Sequence, residues 1–245
     1  MKKKKRVIFY ICVVTAVICA VILVLMGVQR MRQTQLTEQA RDQVAVSEKT
    51  GVESVDFDAL REINQDIYAW IYIPGTEVNY PILQSSEDEE EDYYLDHNLD
   101  GSSGKPACIY TQKRNSRDFT DPNTVIYGHN MRDGSMFRAL HDYQDAEFFA
   151  SHPMIYIQTP EKKLTYRVFA AYRYDNRLIL EAYDDFADPE VFADYLEEVL
   201  NQDTAMCNIN RDVQVTAEDR IITLETCIGN DDYRYIVQAV LTEED

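Results

Sequence analysis

Cys227 closes the run Ile221-Ile222-Thr223-Leu224-Glu225-Thr226-Cys227, and Arg234 follows seven residues later. The first run is rich in β-branched residues and reads as a strand. Gly229-Asn230-Asp231-Asp232 has turn chemistry, and Tyr233 to Val240 reads as a second strand. Opposed residues on paired strands lie about 5 Å apart, so the hairpin sets a thiol beside a fixed cation. A buried structural cysteine behind a surface arginine fits the same two strands. A thiol nucleophile reacts as thiolate and needs a basic or cationic partner. Of the four histidines, His97, His141 and His152 lie in polar segments and read as surface residues. His129 differs: it follows the strand-like run Thr124 to Tyr127 through Gly128 and precedes Asn130-Met131-Arg132-Asp133-Gly134. That is a strand end, where a barrel presents its loops. His129, Cys227 and Arg234 together supply a proton carrier, a nucleophile and an anion stabiliser.

Many short β-type runs surround these residues: Trp70 to Ile73, Val78 to Leu83, Ala107 to Tyr110, Thr124 to Tyr127, Met154 to Gln158 and Leu164 to Tyr174. Turn residues such as Pro74-Gly75 separate them, which favours an antiparallel barrel or sandwich over alternating βαβ units. Asp56 to Asn64 reads as a short helix with Phe57, Leu60 and Ile63 on one side. A longer helix opens with Asp188 as N-cap and Pro189 in its first turn. Its apolar face of Val191, Phe192, Tyr195, Leu196, Val199 and Leu200 is built to pack on the barrel.

The remainder of the chain is organised by a membrane. Met1-Lys2-Lys3-Lys4-Lys5-Arg6 precedes an uncharged apolar stretch from Val7 to Val28, and roughly 20 apolar residues cross a bilayer as a helix. No small-residue cleavage site follows, so the stretch reads as a signal anchor. Five basic residues before it against Arg30 and Arg32 after it orient residues 1–6 to the cytoplasm. A polar juxtamembrane stalk over 29–55 and an extracellular catalytic domain over 56–245 are expected beyond the span.

Seven basic and no acidic residues lie in the first 32, so the formal charge of −19 for the whole chain becomes −26 for the rest. So acidic an exterior argues against nucleic acid as a partner, which clustered Lys and Arg would bind. The run Glu87 to Asp92 lacks the spaced ligands and glycine turn of a calcium loop and reads as solvated. Cys12 and Cys19 lie in the span. Cys108 and Cys207 read as buried thiols, with a disulfide between them left open. No ligand cluster implies a metal or organic cofactor.

The segment Thr223-Leu224-Glu225-Thr226-Cys227 resembles the Thr-Leu-x-Thr-Cys signature of the sortases. Arg234 is similar to the arginine on their next strand, and Gly128-His129 to their upstream histidine. Tyr127 to Phe137, the helix before the first strand, the helix at 188–202, Tyr80-Pro81-Ile82-Leu83-Gln84 and Tyr94-Leu95 resemble the class B subgroup. The resemblance covers roughly residues 56–242. It implies a mainly β fold, an eight-stranded β-barrel with an N-terminal helix and a long helix between strands six and seven. It implies a cysteine transpeptidase whose Cys227 attacks the bond after a threonine in the C-terminal sorting signal of secreted proteins, forming a thioacyl-enzyme. His129 would then protonate the departing amine and Arg234 stabilise the oxyanion. The accepting amine would be that of a peptidoglycan precursor or, alternatively, a pilin lysine. Leu95, Glu225 and Thr226, with the segment 176–186, would line the substrate groove. Glu225 stands where class B members commonly carry serine.

Two other readings differ in class. A papain-type protease places its cysteine before its histidine in a Cys-Gly-Ser/Ala-Cys-Trp/Tyr context, and here the order is reversed and the context missing. A non-catalytic surface binding module would keep its ligand after Cys227→Ala, whereas an enzyme would lose its covalent intermediate.

Overall fold

In a computed structural model, described over residues 2–183, 185–204, 206–230 and 232–245, eight strands form one ring. They are β1 (Ile67–Tyr72), β2 (Asn79–Leu83), β3 (Ile109–Thr111), β4 (Asn123–Tyr127), β5 (Met154–Gln158), β6 (Lys163–Asp175), β7 (Ile221–Cys227) and β8 (Tyr233–Glu244). Their spatial order is β8-β7-β4-β3-β2-β1-β5-β6, and β6 pairs back onto β8. Ring closure gives each of these strands a partner on both sides, which removes the exposed edge of an open sheet. Two pairings are parallel, β4 with β7 and β2 with β3; the other pairings in the ring are antiparallel. Met1 of the basic segment, Asp184 of the expected groove segment, Ala205 and Asp231 of the β7–β8 turn lie outside the described residues.

Alternation along the strands separates two apolar layers. One cluster draws on all eight strands, including Ile71, Ile82, Ile109, Ile126, Ile157, Tyr166, Leu224 and Val237, and is the barrel interior. It is closed at one end by Phe137, Leu140 and Tyr143 of a short 3-10 segment, Phe137–Gln144. The second cluster, with Trp70, Tyr110, Tyr127, Tyr172 and Ile236, lies on the outer face beneath helices. Each fully buried side chain of this size stabilises by about 1.5–3 kcal/mol.

Helices cover that outer face. α1 (Lys2–Arg41) holds the apolar span, and α2 (Phe57–Ile63) is capped by Asp56, whose carboxylate accepts from the Ala59 N–H at 3.0 Å. α4 (Ile179–Ala182) is short, and α3 (Ala146–Ser151), also short, packs its Phe149 on the interior cluster instead. α5 (Pro189–Leu200) lies between β6 and β7, with Asp188 accepting from the Glu190 N–H at 2.9 Å. Its Phe192, Tyr195, Leu196 and Val199 are buried, the spacing that puts one stripe on the barrel. A polar chain pins it there: Gln238 donates to the Tyr195 hydroxyl at 2.6 Å and to Thr223 at 2.8 Å, and Thr223 donates to Asn123 at 2.8 Å.

The structure differs from the expected polar stalk over 29–55. α1 continues to Arg41, and residues 44–47 and 51–55 form a hairpin. The helix also lies against the barrel. Gln33, only 2 % exposed, donates to the Asp100 carboxylate at 2.8 Å. Gln29 donates to the Ser103 carbonyl at 2.9 Å, and Arg41 to the Asn79 carbonyl at 3.0 Å. This face mixes amides satisfied by backbone and carboxylate oxygens with Leu36 and the fully buried Ala40, which pack on the outer cluster, so polar residues interrupt its apolar stripe. An 18-residue window of α1 has mean hydropathy 3.1 and no buried residue, so the helix is long and apolar enough to cross a membrane.

Cys108 and Cys207 are free thiols, the first buried and the second half-buried. Burial pushes the Cys108 thiol well above its ordinary value. Glu87 to Glu90 are exposed, whereas Asp92, at the end of the acidic run, accepts from the Tyr110 hydroxyl at 3.1 Å and the Gln112 amide at 2.8 Å.

Candidate active site

The middle strand of the site is β7, with β4 parallel on one side and β8 antiparallel on the other. Glu225 stands opposite Tyr127 on β4 and Ile236 on β8, and Thr223 opposite Val125 and Gln238. These are outer-face positions, because Tyr127 and Ile236 belong to the outer cluster. Two residues further along β7, Cys227 is opposite Arg234. On the other side the ladder continues past Tyr127: the Gly128 N–H donates to the Glu225 carbonyl at 3.1 Å. Arg234 is therefore the cross-strand partner of Cys227, and His129 follows the end of β4 between Gly128 and Asn130, which bond the Glu225 and Cys227 carbonyls. Tyr127, Glu225 and Ile236 form the row beneath.

Cys227 is a free, half-buried thiol at the end of β7. Its carbonyl accepts two hydrogen bonds, from the Asn130 amide at 3.0 Å and from His141 Nε2 at 2.9 Å. The second corrects the reading of His141 as a surface residue. Its ring stacks on Tyr235 with centroids 5.2 Å apart, and its Nδ1 accepts from the Gln144 amide at 3.0 Å. A carbonyl partner requires the proton on Nε2 and the Gln144 amide requires the lone pair on Nδ1, so with this pair of partners the ring is the neutral Nε2–H tautomer. Burial lowers its pKa, opposed by its bond to the Cys227 carbonyl. His97 and His152 are half-buried as well, stacked on Tyr93 and Phe148 with centroids 3.9 and 3.8 Å apart. The polar neighbours in sequence hid these stacks because the aromatic partner lies four residues away, across a helical turn.

His129 donates from Nε2 to the Leu95 carbonyl at 2.6 Å. That bond fixes the ring and leaves Nδ1 as the nitrogen able to exchange a proton. Burial is the largest influence on His129 and lowers its pKa; the Leu95 carbonyl opposes this, the charge of Lys105 adds to it and that of Asp96 counters it. The glycine before it is required by close approach. A Cβ on Gly128 would sit 2.5 Å from Ile109 Cδ1 and 2.6 Å from Phe137 Cδ2.

Arg234 donates to the Tyr233 carbonyl at 3.0 Å, and its Nε lies 3.4 Å from Glu225 Oε1. The residues expected to touch substrate separate here. Leu95 is 48 % exposed, but Glu225 and Thr226 are 4 % and 2 % exposed. Glu225 faces the outer layer under the helices, and Thr226 faces the other way, so neither offers an open side chain to a peptide lying across the barrel end. Past α1, the large apolar side chains exposed among the described residues are Leu95, Met206 and Tyr233. Each adjoins the site. Leu95 holds His129, Tyr233 precedes Arg234, and Met206 offers its carbonyl at 3.3 Å to the Tyr235 hydroxyl, whose ring carries His141. Sequence reasoning missed Met206 and Tyr233 because exposure at a strand end depends on what packs over it. The segment 176–186 leaves β6 beside this row, since Tyr174 pairs with Arg234. It buries Ile179 and Phe186 in the outer layer. Among the described residues, no group of three His, Cys, Asp or Glu side chains is disposed to hold a metal.

A family model described as the sortase domain matches residues 71–242. Sortase B of Listeria monocytogenes is 38 % identical over 186 residues, covering 74 % of this chain and 72 % of its own length. Sortase B of Staphylococcus aureus is 33 % identical over 174 residues, covering 70 % and 67 %. Among solved structures, sortase B from B. anthracis superposes with a TM-score of 0.73 at 30 % identity, covering 89 % of this chain and 99 % of that one. A Staphylococcus aureus sortase B–substrate complex superposes at 0.67 with 31 % identity, covering 76 % and 84 %.

Proposed function

This chain belongs to the sortase family of cysteine transpeptidases, and on that premise we propose that Cys227, His129 and Arg234 carry its reaction at the outer surface of a membrane. α1 is a single-pass anchor whose first residues stay in the cytoplasm, with the domain outside. The enzyme acts on sorting signals. In the proposed cycle Cys227 Sγ, as thiolate, attacks the carbonyl carbon following a threonine side chain. The tetrahedral intermediate collapses, the carbon–nitrogen bond breaks, and the leaving amine takes a proton from His129 as imidazolium. An amine of a peptidoglycan precursor then attacks the thioester and returns a proton to His129, so one peptide bond replaces another. Arg234 is cationic throughout and stabilises the oxyanion or holds the substrate backbone.

The observation that carries this reading is the cross-strand pair of Cys227 and Arg234, with the segment Gly128–Asn130 that holds His129 bonded to the Glu225 and Cys227 carbonyls. Two further features support it. The bond from His129 Nε2 to Leu95 leaves a single ring nitrogen for proton transfer. The exposed rim of Leu95, Met206 and Tyr233 provides apolar area for a peptide. The test is incubation of the full chain in detergent with labelled pentapeptides and a panel of amines, followed by mass spectrometry of Cys227. The expected result is an acyl adduct ending in threonine that is discharged by an amine and is missing in Cys227→Ala. Adduct-free turnover, or turnover that survives Cys227→Ala, would overturn it. Protease protection in cells tests the topology, and a C-terminal tag found inside would reject it.

A further inference from the structure

The ladder between β4 and β7 stops one bond short of Cys227. In a parallel pair, bonds along one edge recur at every second residue. After the Gly128 N–H to the Glu225 carbonyl, the next bond would run from the Asn130 backbone N–H to the Cys227 carbonyl. The chain turns away at His129 instead. The His129 carbonyl accepts from the Phe137 N–H at 2.9 Å, and Asn130 bridges to Met136. The acceptor left on β7 belongs to the peptide of Cys227 itself, and two side chains fill it. These are the Asn130 amide at 3.0 Å and His141 Nε2 at 2.9 Å. They come from the two ends of one excursion, since His141 lies in the segment Phe137–Gln144 to which the turn leads.

We propose that His141 is a positioning residue for Cys227. Its Nε2–H stands in for the missing ladder bond and holds the peptide that carries the thiol, while the chain beyond β4 is released to present His129. The inference rests on the reading of Cys227 as nucleophile given above. The imidazole is itself held from two directions. The Gln144 amide donates to Nδ1 at 3.0 Å, which keeps the ring proton on Nε2. The ring also stacks on Tyr235, with centroids 5.2 Å apart and planes inclined by 26°. Tyr235 is 0 % exposed and stands opposite Thr226, one residue before the thiol. The platform under the ring and the carbonyl it bonds thus belong to the same β7–β8 hairpin, so the donor is aligned to the strand it serves. One donor alone would let the carbonyl pivot about a single bond; a second, locked by its own partners, fixes the direction.

The test uses full chains in detergent. His141→Phe keeps a ring for Tyr235 but has no donor, and His141→Gln restores a donor without the ring. The first readout needs no substrate: hydrogen exchange of the amides over 225–229. One hydrogen bond of ordinary strength corresponds to roughly fivefold in an opening equilibrium. Exchange there should therefore rise several-fold in His141→Phe and return toward the parent in His141→Gln, with β1 unchanged. The second readout is turnover of labelled threonine-containing pentapeptides, with hydroxylamine as the nucleophile that discharges the thioester. A misplacement of about 1 Å costs on the order of a hundredfold, so kcat per folded molecule should fall roughly 10–100-fold in His141→Phe. KM should change little, and His141→Gln should recover part of the rate. Should His141→Phe not fold, as judged by its thermal transition, His141→Leu takes its place. Unchanged exchange over 225–229, or raised exchange with parental kcat, overturns the positioning role. A loss that His141→Gln does not rescue assigns the effect to ring packing and overturns the hydrogen bond as its cause. Turnover that survives Cys227→Ala overturns the reading of the nucleophile instead, and leaves the exchange result standing.

Discussion

Replacing Gly128 with alanine adds one methyl group where β3, the 137–144 segment and the end of β4 converge. The added carbon would lie 2.5 Å from Ile109 Cδ1 and 2.6 Å from Phe137 Cδ2, against an optimal carbon–carbon separation of about 3.5–4.0 Å. Relief therefore requires movement of about 1 Å. Neither neighbour can swing away, because Ile109 and Phe137 are 1 % and 0 % exposed within the barrel interior. Overpacking of this kind costs about 1–3 kcal/mol, which for a domain of this size lowers Tm by roughly 2–4 °C per kcal/mol. The backbone is the remaining way out, and it is tied to Glu225 through the Gly128 N–H and leads directly into His129. A shift of about 1 Å there should slow turnover by about a hundredfold, a larger loss than the stability change alone implies. The assay pairs a thermal melt of the full chain in detergent with acyl capture at Cys227. Ile109→Val removes the nearest clashing atom at a cost of about 0.5–1.5 kcal/mol. The double variant should therefore be more stable than the sum of the two singles and regain part of the rate. Parental Tm and turnover in Gly128→Ala, or strict additivity in the double variant, would refute the argument that close packing at this glycine aims His129.

Gln238→Leu should destabilise by about 1–3 kcal/mol, because the Tyr195 and Thr223 groups it bonds would stay buried without it; hydrogen exchange in α5 should rise, and unchanged protection would count against the pinning. Arg234→Lys keeps the charge but loses the planar fork, so the acylation rate at Cys227 should fall sharply, and a parental rate would end that argument. Burial holds the pKa values of His129 and His141 below their ordinary value, so the unfolded chain takes up these protons first and stability should be lost as pH falls below about 6.5. Glu225 works in the opposite sense, since the folded chain keeps its proton between the ordinary 4.5 and about 7. Melts of Glu225→Gln between pH 5 and 8 should therefore show the histidine effect alone, with Tm falling toward acid; a flat profile would contradict it.

Local chemistry made the elements readable and left their neighbours hidden. β-branched runs bounded by turn residues marked the strands, and Asp188-Pro189 marked the start of α5, because both signals lie within a few residues of what they specify. The same held for Cys227 and Arg234, joined by a short turn. The pairing of β4 with β7 had no local signal, since parallel strands carry no hairpin between them. His141 looked like a surface residue because its partners, Cys227 and Tyr235, come from distant strands. Gln33 lay hidden in the expected polar stalk because a polar side chain buried against a specific partner reads, in sequence, as a polar side chain in water.

Asn130 and Cys227 stand 97 residues apart in the chain, yet share a hydrogen bond across the parallel pair. Such a pairing cannot nucleate locally, and long-range strand contacts form late because loop closure must precede them. The order of assembly follows. β7 and β8 can join as a hairpin as soon as both exist, bringing the thiol to its arginine, while the imidazole waits beyond the end of β4 until the ring shuts. On the proposed roles, a partly folded chain would carry its cysteine without its proton carrier, and barrel closure would be the event that arms the nucleophile.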